Sequence, residues 1–148
     1  MSRLNEINQD MKVAMKARDK ERLTTIRMLK SALHNEEIRK GSELTEEEEV
    51  TVLAREKKQR VESLNEFKAA NRDDLVQKLE TEIAVVDKYL PEQLSEEEVR
   101  SIVQETISQT QSTSMKDMGK VMGALMPKVK GKADGALVSS LVKEELNK

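Results

Sequence analysis

Cysteine and tryptophan are absent from this 148-residue chain, and its aromatic side chains are one phenylalanine and one tyrosine. The lack of cysteine excludes disulfide bonds, thiol nucleophiles and cysteine-ligated zinc. Two aromatic rings are also too few for the stacking platforms that hold single-stranded nucleic acids. A nucleic-acid partner would therefore have to be recognised through its folded shape and its phosphates.

Long apolar runs are missing as well. None approaches the roughly 20 residues that a membrane-spanning helix needs, and the N-terminal stretch has acidic side chains in place of the apolar centre of a signal peptide. No segment alternates apolar and polar residues in the way of a half-buried β-strand. We expect a soluble cytoplasmic protein without a membrane partner.

What the chain has in abundance is charge and helical periodicity. Charged residues make up 36% of it, apolar residues another 36%, and the net charge is −2. The apolar residues recur every three or four positions, which predicts an all-α fold of seven amphipathic helices. Two of the predicted N-caps are followed three residues later by glutamate, as in a capping box. The predicted N-caps are Ser2, Asp19, Thr45, Asn71, Ser95, Ser114 and Asp134.

Glycine and proline mark where the predicted helices end. Gly41 is expected to end the second helix and Pro127 the sixth. Pro91 separates four predicted helices from three, so we place a domain boundary there. The expected domains are an N-terminal helical domain over residues 1–91 and a small three-helix domain over residues 92–148.

Two features favour a protein-interaction adaptor. In the third predicted helix, Lys57, Lys58 and Arg60 interrupt the apolar stripe, so this part is expected to be exposed or to face a partner. Methionines also line one face of the sixth helix. Such a face either adapts to partners or fills a core, and the core is the commoner use. These methionines are Met115, Met118, Met122 and Met126.

Groups with the spacing of a catalytic or metal site are missing. The single histidine, His34, has Ser31 three positions before it, where carboxylate-bridged metal sites in bundles have glutamate. The sequence contains neither a nucleophile elbow nor a glycine-rich loop for nucleotide phosphates. We predict a non-enzyme without catalytic residues, metal or cofactor. An enzyme acting on a small substrate would need a carboxylate site that the sequence does not reveal.

The most informative part of the chain is Asp117–Gly135, which we call the lysine–glycine segment. It holds four of the five glycines and four lysines. Gly119 and Gly123 lie four residues apart on one face of a predicted helix, where each glycine costs about 1 kcal/mol relative to alanine. A chain accepts this cost where another backbone or a ligand comes very close.

The lysines of this segment have two interpretations. Lys128, Lys130 and Lys132 alternate with small residues just before a helix N-terminus, which suits a phosphate backbone. Arginine is absent after Arg100, so contacts would be to phosphates and shape, not to bases. Alternatively, the lysines belong to a solvated loop, Asp134 caps the next helix, and the glycines let two helices pack closely. The residues alone slightly favour this second interpretation.

The same segment carries a resemblance to a known family. It resembles the signature of the GatB/YqeY family, and shorter stretches elsewhere fit that family too. The resemblance covers essentially the whole chain and is most specific within the lysine–glycine segment. The matching stretches are Arg27–Ala32, Tyr89–Pro91, Leu94–Glu98, Asp117–Gly123 and Lys130–Gly135.

The chain is similar to a stand-alone YqeY protein and to the tail of the B subunit of the tRNA-dependent glutamyl/aspartyl amidotransferase. The resemblance implies an all-helical two-domain fold and contact with the outer, elbow side of a tRNA. A translation-related protein is a further expected partner. The catalytic parts of the amidotransferase have no counterpart here, so its carbon–nitrogen ligase activity is not implied. The positions implied to contact nucleic acid are Gly119, Lys120, Gly123, Lys130, Gly131, Lys132 and Gly135, to which the lysine pattern adds Lys128.

Overall fold

A computed structural model describes residues 2–148, and all regular structure within them is helical. The all-α prediction is therefore confirmed. A short 3-10 turn at Met115–Asp117 precedes the sixth α-helix. The α-helices are α1 (Arg3–Ala17), α2 (Lys20–Lys40), α3 (Glu46–Ala69), α4 (Asp73–Asp87), α5 (Glu96–Gln109), α6 (Met118–Val129) and α7 (Gly135–Leu146).

The chain divides into two compact units, an N-terminal unit, Met1–Pro91, and a C-terminal unit, Glu92–Lys148. The first contains α1 to α4 and the second contains α5 to α7. Each unit has a hydrophobic core of its own. That each unit folds as an independent domain stays a prediction.

Most of the predicted helix starts are confirmed by hydrogen bonds. At these positions a side-chain oxygen accepts a backbone N–H of the first turn, which satisfies a donor that has no partner within the helix. Two of the starts are complete capping boxes, formed with Glu48 and Glu98. Gly41 ends α2 in the left-handed region, at a φ of 84°, as predicted. The confirmed N-caps are Ser2, Asp19, Thr45, Ser95 and Asp134.

The predicted cap at Asn71 is wrong. Asn71 has a φ of 58° and lies just after α3, and α4 begins after Arg72, which forms no side-chain cap. Asparagine tolerates the left-handed region better than most residues, so it can follow a helix as readily as it can start one.

Two further expectations around α6 are wrong. The Ser114 side chain makes no capping bond, and the carboxylate of Asp117 instead accepts the N–H of Thr113 at 2.9 Å, so the chain enters α6 through the 3-10 turn. Pro127 lies inside α6, which continues to Val129. Proline removes one hydrogen bond here without ending the helix.

The core of the N-terminal unit draws residues from all four helices. Four of its residues are fully buried at the centre, namely Ile7, Ile26, Leu33 and Leu53. Ile38, near the end of α2, lies outside this core and is 78% exposed. Tyr89, just after α4, is buried, and its hydroxyl donates to the carboxylate of Asp10 at 2.5 Å.

Arg60 contradicts the expectation of an exposed or partner-facing stretch in α3. The residue is only 6% exposed. Its Nη1 donates to the Glu56 carbonyl at 3.0 Å, and its Nε lies 3.6 Å from a carboxylate oxygen of Glu82 on α4. Lys57 likewise pairs with Asp87 at 2.8 Å. These two cations therefore tie α3 to the neighbouring helix, although Lys58 is exposed.

The core of the C-terminal unit consists of valine and leucine. Val103 of α5, Leu125 of α6 and Val142 of α7 are fully buried in it. The methionine face of α6 is divided. Met118 and Met122 pack against the core, which agrees with the core interpretation. The other two methionines, Met115 and Met126, are 39% and 36% exposed.

Candidate nucleic-acid interface

Gly119 and Gly123 form a strip without side chains on the exposed side of α6. At neither position would an added Cβ meet a heavy atom within 4 Å. The expectation that these glycines let two helices pack closely is therefore wrong. Packing within the C-terminal unit does not explain why the chain carries two glycines here. The strip leaves the main chain of α6 open to close approach by another molecule.

The carbonyl of Gly123 has an unusual position in the helix. In a regular α-helix this oxygen accepts the N–H of the residue four positions later. That residue is Pro127, which has no N–H. The Gly123 carbonyl thus lacks its usual intrahelical donor.

The predicted lysines differ in what they contact. Lys120, Lys130 and Lys132 are exposed. Lys128 is exposed too, but its Nζ donates to the Thr106 hydroxyl at 3.2 Å and to the Gln109 side chain at 3.1 Å, both on α5. Lys128 therefore links α6 to α5 and is not free to act as a pure surface charge.

The loop between α6 and α7 is fixed by hydrogen bonds. Gly131 has a φ of 75°, in the left-handed region that favours glycine. Its carbonyl accepts the side-chain amide of Gln93 at 2.7 Å, and the Lys132 carbonyl accepts the N–H of Leu94 at 2.8 Å. The N–H of Lys132 bonds back to the Val129 carbonyl at 2.8 Å. These bonds hold the backbone that carries Lys130 and Lys132 in one conformation.

Gln93 and Leu94 are the residues that the sequence analysis missed. They lie 38 residues before their partners in the loop. Nothing in the local pattern around Gln93 indicates such a contact, because the pairing depends on how the helices of the C-terminal unit fold back on one another.

The N-terminus of α7 is occupied by the protein itself. The Asp134 carboxylate accepts the N–H of Ala136 at 3.2 Å. Gly135 is the first residue of α7, with open space where a Cβ would lie. A phosphate arriving here would meet the negative charge of Asp134. The positive charge of the segment therefore comes from its lysines and not from this helix end.

Other kinds of site find little support. Across residues 2–148, no group of three or more histidine, aspartate or glutamate side chains is arranged to hold a metal ion. His34 is exposed, and its Nδ1 lies 3.5 Å from the Glu37 carboxylate on the same helix. Over the same range of residues, no helix has the length and apolarity needed to cross a membrane.

Comparison with known proteins identifies a family and several relatives. The family model described as Yqey-like protein matches residues 4–146. The protein named Altered inheritance of mitochondria protein 41, mitochondrial, from Saccharomyces cerevisiae (strain YJM789) is 40% identical over 82 residues, which is 55% of this chain and 44% of that protein. The protein of the same name from Clavispora lusitaniae is 39% identical over 87 residues, 59% of this chain and 51% of its own length.

The chain spans about half the length of the curated relatives it matches. The names of these relatives describe mitochondrial proteins, so they do not specifically support the predicted cytoplasmic location.

Proposed function

Because the chain belongs to the Yqey-like protein family, we propose that it is a non-catalytic module that binds folded tRNA through phosphates and overall shape. The proposed interface comprises the glycine strip of α6 and the loop that follows this helix. It consists of Gly119, Lys120, Gly123, Lys130, Gly131, Lys132 and Gly135.

The observation that carries the proposal is the pair of exposed glycines. Each costs about 1 kcal/mol of helix stability relative to alanine, and open space lies over both. Among residues 2–148, no side chain or neighbouring backbone packs against either glycine closely enough to offset that cost. An external backbone that comes close to α6 would offset it, and Lys120 beside the strip would contact the phosphates of that backbone.

The Gly123 carbonyl supports RNA over DNA as the ligand. A ribose 2′-hydroxyl can donate to an acceptor that DNA leaves unbonded, and this group is what distinguishes the two nucleic acids. An acceptor without its helical donor is suited to that contact. The lysines alone would not discriminate, because both nucleic acids carry phosphates.

Lys128 has a different role in this proposal. Since its ammonium bonds to Thr106 and Gln109, it positions α6 against α5. The lysines expected to matter most are Lys120, Lys130 and Lys132.

Fluorescence anisotropy tests the proposal. Labelled tRNA and a DNA duplex of matched charge are titrated with the full chain at several salt concentrations. We expect saturable, salt-dependent binding that is tighter for tRNA. Equal weak binding to both nucleic acids, or none, would contradict the proposal.

An adaptor that binds a translation-related protein is the alternative, and Met115 and Met126 favour it as exposed methionines beside the core. The cations of α3 give it less support, because Arg60 and Lys57 are engaged within the N-terminal unit. Copurification of a protein that survives nuclease treatment and disappears on changing Met126 to Gln would favour the adaptor.

The proposal also includes two independent domains, residues 1–91 and 92–148, and action in the cytoplasm. Independence is supported by the separate cores of the two units. Fractionation of source cells with an antibody to the chain tests the compartment, and recovery in a membrane or organelle fraction would contradict it.

A further inference from the structure

A cleft in the N-terminal unit lies where the start of α2 faces the last turns of α4. Its volume is about 270 Å³. Drug-sized ligands occupy pockets of about 300–1,000 Å³, so an occupant of this cleft would be smaller than those. The lysine–glycine segment contributes no residue to it. The cleft is therefore independent of the proposed tRNA surface.

Arg22 is the unusual residue of the cleft. Its side chain is partly buried, yet the guanidinium makes no hydrogen bond or ion pair with any residue from 2 to 148. The other arginines that are partly or fully buried are all paired. Arg3 bonds to Glu46, Arg60 lies beside Glu56 and Glu82, and Arg100 bonds to Glu144 and Glu145. The Arg22 guanidinium thus lacks the direct ion pair that these arginines have, although its charge helps to lower the pKa of the nearby Asp10 carboxylate.

The carboxylates near Arg22 are already engaged. Asp10 accepts hydrogen bonds from Lys88 at 2.8 Å and from the Tyr89 hydroxyl at 2.5 Å. Asp19 lines the cleft, but its carboxylate accepts the backbone N–H of Arg22 at 3.2 Å as the cap of α2. Neither forms an ion pair with the Arg22 guanidinium. The N–H groups of the guanidinium are thus available to an external anion.

The remaining walls suit a ligand with one charged and one apolar end. Lys88 lines the cleft and retains two N–H groups beyond the one that bonds to Asp10. Ala84 and Val85 supply an apolar wall on α4.

We propose that this cleft binds a small oxyanion, either a carboxylate or a phosphate, carried on a short apolar body. Arg22 binds it through the planar fork of the guanidinium, which matches both anions in a bidentate manner. Lys88 supplies further N–H donors, and Ala84 and Val85 contact the apolar body.

Nuclear magnetic resonance of the full chain tests this site. The probes are phenyl phosphate and benzoate, with benzamide as the uncharged control. We expect saturable shifts of the Arg22 side-chain N–H and of backbone signals lining the cleft, with a Kd on the order of 1 mM. Saturation by phenyl phosphate alone assigns the site to phosphates, and saturation by benzoate alone assigns it to carboxylates.

Three variants make the assignment specific. Arg22→Gln should weaken binding at least about tenfold, whereas Arg27→Gln, an exposed arginine on the same helix, should leave it unchanged. Ala84→Leu should block the apolar end while keeping both cations. Absence of saturation by either anion, undiminished binding by Arg22→Gln, or equal binding of benzamide would overturn the proposal.

Discussion

Buried polar groups in the N-terminal unit include charged side chains, whereas those in the C-terminal unit are hydroxyls. Glu49 and Arg60 are buried in the first, and Thr106 and Ser112 in the second. The N-terminal unit therefore buries charged side chains between its helices. The C-terminal unit has a core of valine and leucine, and its charged contacts between helices, from Arg100 to Glu144 and Glu145, involve an arginine of intermediate burial. A lysine in a charged stretch of sequence is therefore not by itself evidence of a binding surface. Lys57 of the N-terminal unit lies in such a stretch and forms an ion pair with Asp87 of the same unit.

The largest expected effect is the loss of folding stability caused by Leu125→Ala in the core of the C-terminal unit. Leu125 is fully buried, and truncating such a residue costs about 2–5 kcal/mol. If the units are independent domains, only the part of the helical circular dichroism signal that comes from the C-terminal unit should be lost at a lower denaturant concentration than in the wild type. Tyr89, the single tyrosine, reports on the N-terminal unit alone, so its near-ultraviolet transition should not move. A parallel shift of the Tyr89 transition would contradict independence.

The next largest expected effect is the loss of folding stability caused by Arg60→Met, which removes a buried charge from the N-terminal unit. Removing one partner of a buried ion pair costs about 3–5 kcal/mol, because the other charge is left unpaired. We expect the lower end of that range, since the carboxylate contacts of Arg60 are 3.5 and 3.6 Å long. Chemical denaturation followed through Tyr89 measures it. Lys58→Met, an exposed neighbour, is the matched control. Equal small losses of unfolding free energy in both variants would show that the buried Arg60 stabilises the unit no more than an exposed cation does.

A smaller effect of opposite sign is expected from the double variant Gly119→Ala and Gly123→Ala. Alanine should stabilise α6 by about 1 kcal/mol at each position, since there is room for both methyl groups. tRNA affinity should nevertheless fall, because the methyl groups keep an incoming backbone away from the helix. Thermal unfolding and anisotropy together test this. A more stable variant with unchanged affinity would show that the strip is not a contact surface.

The smallest effect concerns acid stability of the N-terminal unit. Burial raises the pKa of Asp10, but the hydrogen bonds from Lys88 and Tyr89 outweigh it and lower that pKa overall. Its stabilising contribution is therefore complete above the unfolded pKa of about 3.9 and is lost as the pH falls through the lower folded value.

Asp10→Asn should consequently flatten the decline of the unfolding free energy in acid. Denaturant titrations between about pH 5 and pH 2, followed through Tyr89, measure that decline. Some slope should remain, because a hydrogen bond from Lys40 is the main cause that lowers the pKa of Glu48 to about 2. An identical decline in wild type and Asp10→Asn would refute a role for Asp10.

Local signals in the sequence were reliable where one residue type has one structural use. The capping boxes at Thr45 and Ser95 and the left-handed glycine at Gly41 follow from chemistry within four residues, and all three are confirmed. Asn71 and Pro127 were misinterpreted because each residue type has two uses. Asparagine can cap a helix or follow one, and proline can end a helix or remain within it at the loss of one bond.

Contacts between distant parts of the chain could not be predicted in this way. The surroundings of Arg60 depend on Glu82, a residue on another helix. Gln93 supports the loop at Gly131 across 38 residues. The sequence indicated the lysine–glycine segment as a candidate site, but not that Lys128 is engaged by α5 while the glycine strip is open.

The most direct test of the central claim is the salt dependence of tRNA binding in a triple variant, Lys120→Ala, Lys130→Ala and Lys132→Ala. The matched control replaces three exposed lysines of the N-terminal unit, Lys12, Lys16 and Lys68, with alanine. We predict that the log–log salt slope falls by about one unit for each phosphate that the first variant no longer neutralises. The control should match the wild type. Equal slopes in both triple variants would contradict the claim that this segment binds folded RNA.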